Sequence, residues 1–415
     1  MQDWKTVLSA PRFRDLWIAL LCTNLGSWCM IASLPILVAE RFGAGSELVL
    51  SLGLRIVPKI LLAPLSGSVL RRFGPARVAA TAMTVMGCLT ALLPHCQDFG
   101  ALQILIAGIG TLDVFINPGL LTLRGPATPP GLEMAGNTLC SVADRLGKFG
   151  GPAIGGLVVL GGFGPAFLAF GAATALSAIP VFRLRGMDTA EPDAPATRPG
   201  WQFTGLIAEF AATLRADRRL VGLLVCAVSY MVMLGGLRPF LFWANRDWFG
   251  ASDTAWTGLL AAQGAGALIG ALISGLFGWR LARLMPAYTL TLAAGLLEGT
   301  FHLGLLGAST TMQAMLLLAL AGIPEIVSTA AWFTVVQERL ALRRQAVFFA
   351  LSAPLWDCAY ALGVMSAGLR ANGMLSLSAY WAFVSLTSTL PIVPLLIGAG
   401  RREWRPVMRP PGGAC

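Results

Sequence analysis

Ten ionisable side chains fall inside long apolar stretches of this chain, and their types and spacing are what chemistry would use. The bases are Arg55, Lys59, Arg145, Lys148 and Arg238. The acids are Asp113, Asp144, Glu298, Glu325 and Asp357. A charge at the centre of a bilayer costs about 3 kcal/mol or more. Ten of them therefore imply pairing, a water-filled cavity, or both. Arg55 and Lys59 are four residues apart and share a helix face, and Arg145 and Lys148, three apart, do the same. The chain has 27 arginines but three lysines, two of them among the embedded bases. Arginine stays charged, whereas lysine titrates readily when desolvated, so Lys59 and Lys148 read as proton-exchanging groups. The chemistry on offer is exchange of protons and of charge partners. No metal cluster, nucleophile–histidine pair or phosphate loop joined to a strand is visible, so no enzyme and no cofactor is expected. Glu298 reads as the plainest of the ten, approaching the surface near His302.

Polar and aromatic residues in the same stretches are candidates to line a cavity: Asn24, Trp28, Asn117, Tyr230, Gln263, Trp332, Gln337 and Trp356. Asn117-Pro118, Ile323-Pro324-Glu325 and Ala353-Pro354 put proline beside polar groups, where kinks and transporter sites tend to form. The run Gly147 to Gly156 contains Gly147, Gly151, Pro152 and Gly155 around Lys148. Such a run weakens a helix in water but lets helices approach closely in a membrane, so it marks a moving helix interface beside a charge.

The elements that must position these residues are membrane spans. Of 415 residues, 56% are hydrophobic and 12% charged, too few charges for a soluble surface of that size. Reading apolar stretches of about 20 residues as spans gives twelve, from Leu16–Ala39 to Leu377–Ile397, with Val78–Leu93 the weakest. The chain is an all-α polytopic membrane protein. The net charge of +10 suggests nucleic acid until its placement is counted. On this topology 22 of 30 Lys and Arg lie on one side, here called the Arg-rich face, and only Arg41, Arg246 and Arg370 lie in the opposite loops. That bias puts both termini in the cytoplasm and excludes nucleic acid as the partner. The eight cysteines are scattered, with neither a disulfide framework nor a metal site. The expected partners are a small-molecule substrate and membrane lipids, with the chain a monomer.

Six spans precede a polar break and six follow it. Residues 1–184 form the first half. Residues 185–217 form a linker, with helical apolar spacing at Phe203, Leu206, Ile207, Phe210 and Leu214 that describes a surface helix. Residues 218–400 form the second half and 401–415 a tail. Asp144 and Asp357 recur mid-span in the fifth and eleventh spans. Two such halves suggest parallel repeats.

The chain resembles the major facilitator superfamily. Gly147-x3-Gly151-Pro152-x2-Gly155 is similar to the Gly-Pro motif of helix five that marks its antiporters. Gly67, Arg72, Gly74 and Arg77 fit the superfamily's loop between helices two and three, although Arg71 replaces the usual acid. Phe13-Arg14-Asp15-Leu16-Trp17, with Asn24-Leu25-Gly26 and Leu34-Pro35, resembles the first helix of the macrolide-efflux and enterobactin-exporter branch. Gln103-Ile104-Leu105 stands where many drug–proton antiporters carry an arginine. The resemblance implies two six-helix halves in a bacterial inner membrane. It also implies efflux, as siderophore export or multidrug resistance, by alternating access and proton antiport. With four of five embedded bases in the first half, an anionic or zwitterionic metabolite suits the chain better than a cationic drug. A lipid or lysolipid translocase of the same fold is the alternative. In that fold helices two and eleven meet, as do five and eight, so Arg55 or Lys59 is expected to pair with Asp357 in one state, and Asp144 with Lys148 locally.

Overall fold

Every element in the computed structural model is helical among the residues described, which are 2–187, 199–340 and 342–402. The linker segment 188–198 and the tail 403–415 lie outside them. Ten helices are long and apolar enough to cross a membrane: α1 (Pro11–Arg41), α3 (Pro75–His95), α4 (Phe99–Ala127), α6 (Phe163–Met187), α7 (Arg218–Trp248), α8 (Ala255–Ser274), α9 (Ala287–Gly307), α10 (Thr311–Arg339), α11 (Val347–Ala371) and α12 (Leu377–Ala399). An eleventh, α2, joins Ser46–Ala63 to Leu65–Phe73 across a 68° bend. The twelfth, α5 (Glu133–Val159), has 27 residues, about 40 Å at the helical rise and longer than a bilayer core. Asp144, Arg145 and Lys148 are what break its apolar run. The expected all-α architecture of twelve helices is thus present, and the two irregular members carry five of the ten embedded charges, Arg55 and Lys59 on α2 and Asp144, Arg145 and Lys148 on α5.

Local sequence explains the helix ends. Asp98 accepts a hydrogen bond from Ala101 N (2.8 Å) to cap α4, and Asp217 does so from Arg219 N (2.9 Å) at α7. Gly74 has φ +86°, a conformation open to glycine, and Pro75 then starts α3 with its φ already helical. The surface helix Pro199–Ala216 precedes α7 and packs on α7 and α11.

The packing repeats. In the first half α1 packs on α5, α2 on α4, and α3 on both α4 and α6. In the second α7 packs on α11, α8 on α10, and α9 on both α10 and α12. Each pair has its counterpart six helices on, which is the pattern of two like halves. Small residues bring these helices together. A side chain on Gly87 or Gly171 would strike the facing backbone of α6 or α3, and one on Gly266 or Gly322 would do the same between α8 and α10.

The halves meet through α5 with α8, α2 with α11, and α1 with α8. At Gly264 of α8 an added Cβ would come 2.8 Å from Phe149 Cα and 2.9 Å from Lys148 O. Two indoles tie the ends opposite the Arg-rich face: Trp256 Nε1 donates to Ala32 O (2.9 Å) and Trp243 Nε1 to Ala44 O (2.6 Å).

Candidate functional site

Three charged groups sit where these helices converge. The first joins α2 to α4. Arg55 Nη2 lies 2.8 Å and Lys59 Nζ 3.2 Å from Asp113 Oδ2, with Asp113 only 7% exposed. Arg55 stands in the short break between the helical segments Ser46–Leu54 and Val57–Phe73, yet it and Lys59 both reach the same carboxylate, one in their own half. The approach depends on Gly110, where any side chain would meet the Arg55 carbonyl. Gln103 Nε2, about two turns before it, donates to Ser51 Oγ (2.7 Å). Asp357, the partner anticipated from the sequence, makes no ion pair in this conformation among the described residues. It lies within electrostatic reach of Lys59 across the interface.

The second group spans both halves. The indole of Trp28 on α1 faces Arg238 of α7 at 5.1 Å and Lys148 of α5 at 5.8 Å, and Arg238 also faces the Tyr360 ring of α11 at 5.6 Å. Four helices therefore contribute to one cluster. Lys148 reaches Asp144 at 3.9 Å, the local pair expected. With 43% of Asp144 and 35% of Lys148 exposed, that pair contributes little. Arg238 has no carboxylate partner among the described residues. Arg145, on the same helix as Lys148, acts electrostatically on Tyr230 of α7. The cluster carries surplus positive charge on aromatic faces, an arrangement that binds an anionic group beside a planar or apolar one.

The third group lies within the second half. A cavity of about 260 Å³ opens between α7, α9, α10, α11 and α12, walled by Tyr230, Trp332, Phe333 and Trp356 and holding Glu298 and Glu325. No basic side chain lines it. Glu298 is 4% exposed and faces this cavity, which corrects its reading as a surface residue. Its turn of α9 points inward because Tyr288, Thr291, Leu292 and Gly299 share that buried face.

The remaining candidates divide. The Gly147, Gly151 and Gly155 face of α5 packs on α1: an added Cβ at Gly147 would lie 2.6 Å from Asn24 Cβ, and at Gly155 3.0 Å from Cys29 O. Asn24 thus packs helices together inside the first half. The contact with the second half runs along the other face of α5, through Lys148, Phe149 and Gly156, the last against Thr257. Pro152 is buried within α5. Gly67, Arg72, Gly74 and Arg77 surround the Arg-rich end of α2 and the start of α3, where Arg72 stacks 5.3 Å from the Phe73 ring. Arg72, Gly74 and Arg77 border one groove there with Phe115 of α4. Gln263 touches Gly322 through its backbone, and Asn117 and Gln337 are exposed. Trp332 donates its Nε1 to Leu223 O (3.2 Å), so it braces α7 as well as lining the cavity. Tyr360 was not singled out in the sequence. Its signal was an aromatic three residues after Asp357, on the same face of α11.

Known proteins agree with this architecture. The family pattern described as Major Facilitator Superfamily matches residues 16–364. No curated sequence matches the chain. Among solved structures, the peptide transporter POT in complex with sulfate is 13% identical, covering 96% of this chain and 98% of its own, with a TM-score of 0.76. The human organic anion transporter MFSD10 (TETRAN) is 18% identical, covering 93% and 99%, with a TM-score of 0.68. The nucleoside transporter NupG is 13% identical, covering 94% and 98%, with a TM-score of 0.69. At these identities the likeness is one of fold, and the three cargoes named differ. A multi-pass membrane protein with this pattern and this architecture belongs to the Major Facilitator Superfamily, a family of transporters rather than enzymes.

Proposed function

We propose that the chain is a secondary exporter that moves an anionic or zwitterionic amphipathic small molecule, of siderophore-like character, out of the cytoplasm by proton antiport. The observation that carries this reading is the convergence of Arg238 and Lys148 on Trp28, with Arg238 lacking any carboxylate partner among the described residues. A cationic cargo would be repelled there. An anion would be drawn in, and its apolar body would lie against the Trp28 and Tyr360 rings. Because α1, α5, α7 and α11 all contribute, a bound anion favours whichever arrangement of the halves keeps these four helices together.

Proton coupling is assigned to Asp357, a carboxylate without a fixed cation at the α2–α11 contact, while Asp113 with its two bases stays a structural ion. A proton arriving on Asp357 changes its attraction to Lys59 across the α2–α11 contact, and so biases the two arrangements of the halves. The sequence likeness to the macrolide-efflux and enterobactin-exporter branch points the same way, and the excess of basic residues on one face sets export as movement away from that face. The test is purified protein in liposomes with an imposed pH gradient. Counterflow of a catecholate siderophore, lost in Arg238→Ala and uncoupled from the gradient in Asp357→Asn, is the expected result. Gradient-driven movement of a cationic dye with both variants behaving like wild type contradicts it. Lipid movement insensitive to uncouplers would favour the translocase instead.

A further inference from the structure

The export reading leaves the second-half cavity without a role, and its chemistry differs from that of the Trp28 cluster. Two carboxylates, Glu298 of α9 and Glu325 of α10, share a wall of aromatic rings with no basic side chain lining it. Glu298 Oε1 stands 4.0 Å from His302 Nδ1, beyond hydrogen-bond distance. Glu298 and Tyr230 face each other in the cavity wall, and Glu298 Oε1, Tyr230 Oη and Trp356 Nε1 have no hydrogen-bond partner of good geometry. The nearby hydroxyls do not relieve them: Ser328 donates to Thr291 O (2.9 Å) and Thr329 to Glu325 O (2.8 Å). Buried polar groups are seldom left so, because each orphan costs about 1–3 kcal/mol. Polar atoms of this kind on the wall of one cavity are groups that a bound polar ligand would satisfy.

We propose that this cavity is a binding site for a small organic cation, an ammonium carrying a hydrogen-bond acceptor such as an amino alcohol, distinct from the anion-attracting cluster between the halves. The ammonium lies between Glu298 and Glu325 and offsets one carboxylate charge, and its methyl or methylene shell lies against Trp332, Phe333 and Tyr230, whose ring faces attract cations. Its oxygen accepts from Trp356 Nε1. A bare metal ion would satisfy the carboxylates but leave most of the roughly 260 Å³ and its aromatic wall unused. That volume lies just under the range of about 300–1,000 Å³ seen for drug-sized ligands, so the occupant is small.

The site is independent of the proposed transport direction and cargo. Radiolabelled choline and the purified full-length chain provide the test, with 3,3-dimethylbutan-1-ol as the uncharged competitor of nearly the same shape. Saturable choline binding is expected, with the uncharged alcohol competing at least about tenfold more weakly, a difference of about 1.4 kcal/mol. Glu298→Gln with Glu325→Gln should abolish it, and Asp144→Asn, which lies outside the cavity, should retain it. Three results overturn the proposal: no saturable binding to the wild type, equal competition by the uncharged alcohol, or displacement by sodium chloride at the same concentrations as choline. The competition arm uses the wild-type chain, so it decides the matter even if the double variant does not fold.

Discussion

The Trp28 cluster and the Glu298–Glu325 cavity are both aromatic, charged and set among the membrane helices, yet they are built in opposite ways. The cluster takes residues from α1 and α5 of one half and α7 and α11 of the other, so it exists only while the halves are together. The cavity is enclosed by helices of the second half alone, so a movement of one half against the other carries it along intact. Cations gather in the Trp28 cluster, where the molecule must change shape, and two carboxylates without a basic neighbour gather in the cavity, where it need not. A charged ligand between the halves can therefore report on their arrangement, whereas one in the cavity reports on the second half only.

The largest effect that separates the two regions should come from Gly264→Val. The new side chain meets the Phe149 and Lys148 backbone, and such overpacking costs about 1–3 kcal/mol at a contact between the halves that transport must remake. Transport should be lost while choline binding in the cavity survives. Loss of both would mean that the two regions are not separable.

Asp113→Asn should be nearly as severe, through stability. It leaves Arg55 and Lys59 facing a neutral group, and breaking a buried pair in this way costs about 3–5 kcal/mol. Thermal melting in detergent should fall steeply, and removing Lys59 in the same background should recover part of the loss. An unchanged melting temperature would show that the trio is solvated.

The order in which these features could be read is instructive. Helix number and the embedded charges were legible because an apolar run of span length, or a charge within it, needs no partner to be recognised. Partner choice was not. The sequence offers Arg55 or Lys59 to Asp357 in one state, and in this conformation both face Asp113 beside the close approach at Gly110. Glu298 reads as a surface residue near His302 because the ninth helix is peripheral in the fold the chain resembles, and only the packing of α9 on α10 and α12 shows which of its faces is inside. The glycines of α5 likewise announced a close contact without saying with which helix. They belong to α1, and the charge between them belongs to the interface.

A smaller effect is expected from Trp28→Ala. Each cation–π contact contributes about 0.5–2 kcal/mol, so affinity for an anionic cargo should fall several-fold to about tenfold. No change in choline binding is expected, and a parallel fall in both would erase the distinction between the regions. The smallest effect belongs to Asp144→Asn. A half-exposed pair at 3.9 Å contributes under about 1 kcal/mol, so melting should barely move, and the freed Lys148 should leave anion binding unchanged or slightly tighter.

The central claim is that the cation cluster between the halves holds the cargo's negative charge, and Arg238 tests it most directly. The measurement is equilibrium binding of a carboxylate-bearing amphiphile and of its uncharged methyl ester to wild type, Arg238→Lys and Arg238→Ala. The carboxylate should bind the wild type best, lose affinity by about tenfold or more in Arg238→Ala, and recover part of it in Arg238→Lys, where charge returns without the planar fork. The ester should be indifferent to all three. Equal binding of acid and ester to the wild type, or an Arg238→Ala variant that still prefers the acid by the same margin, would contradict the account.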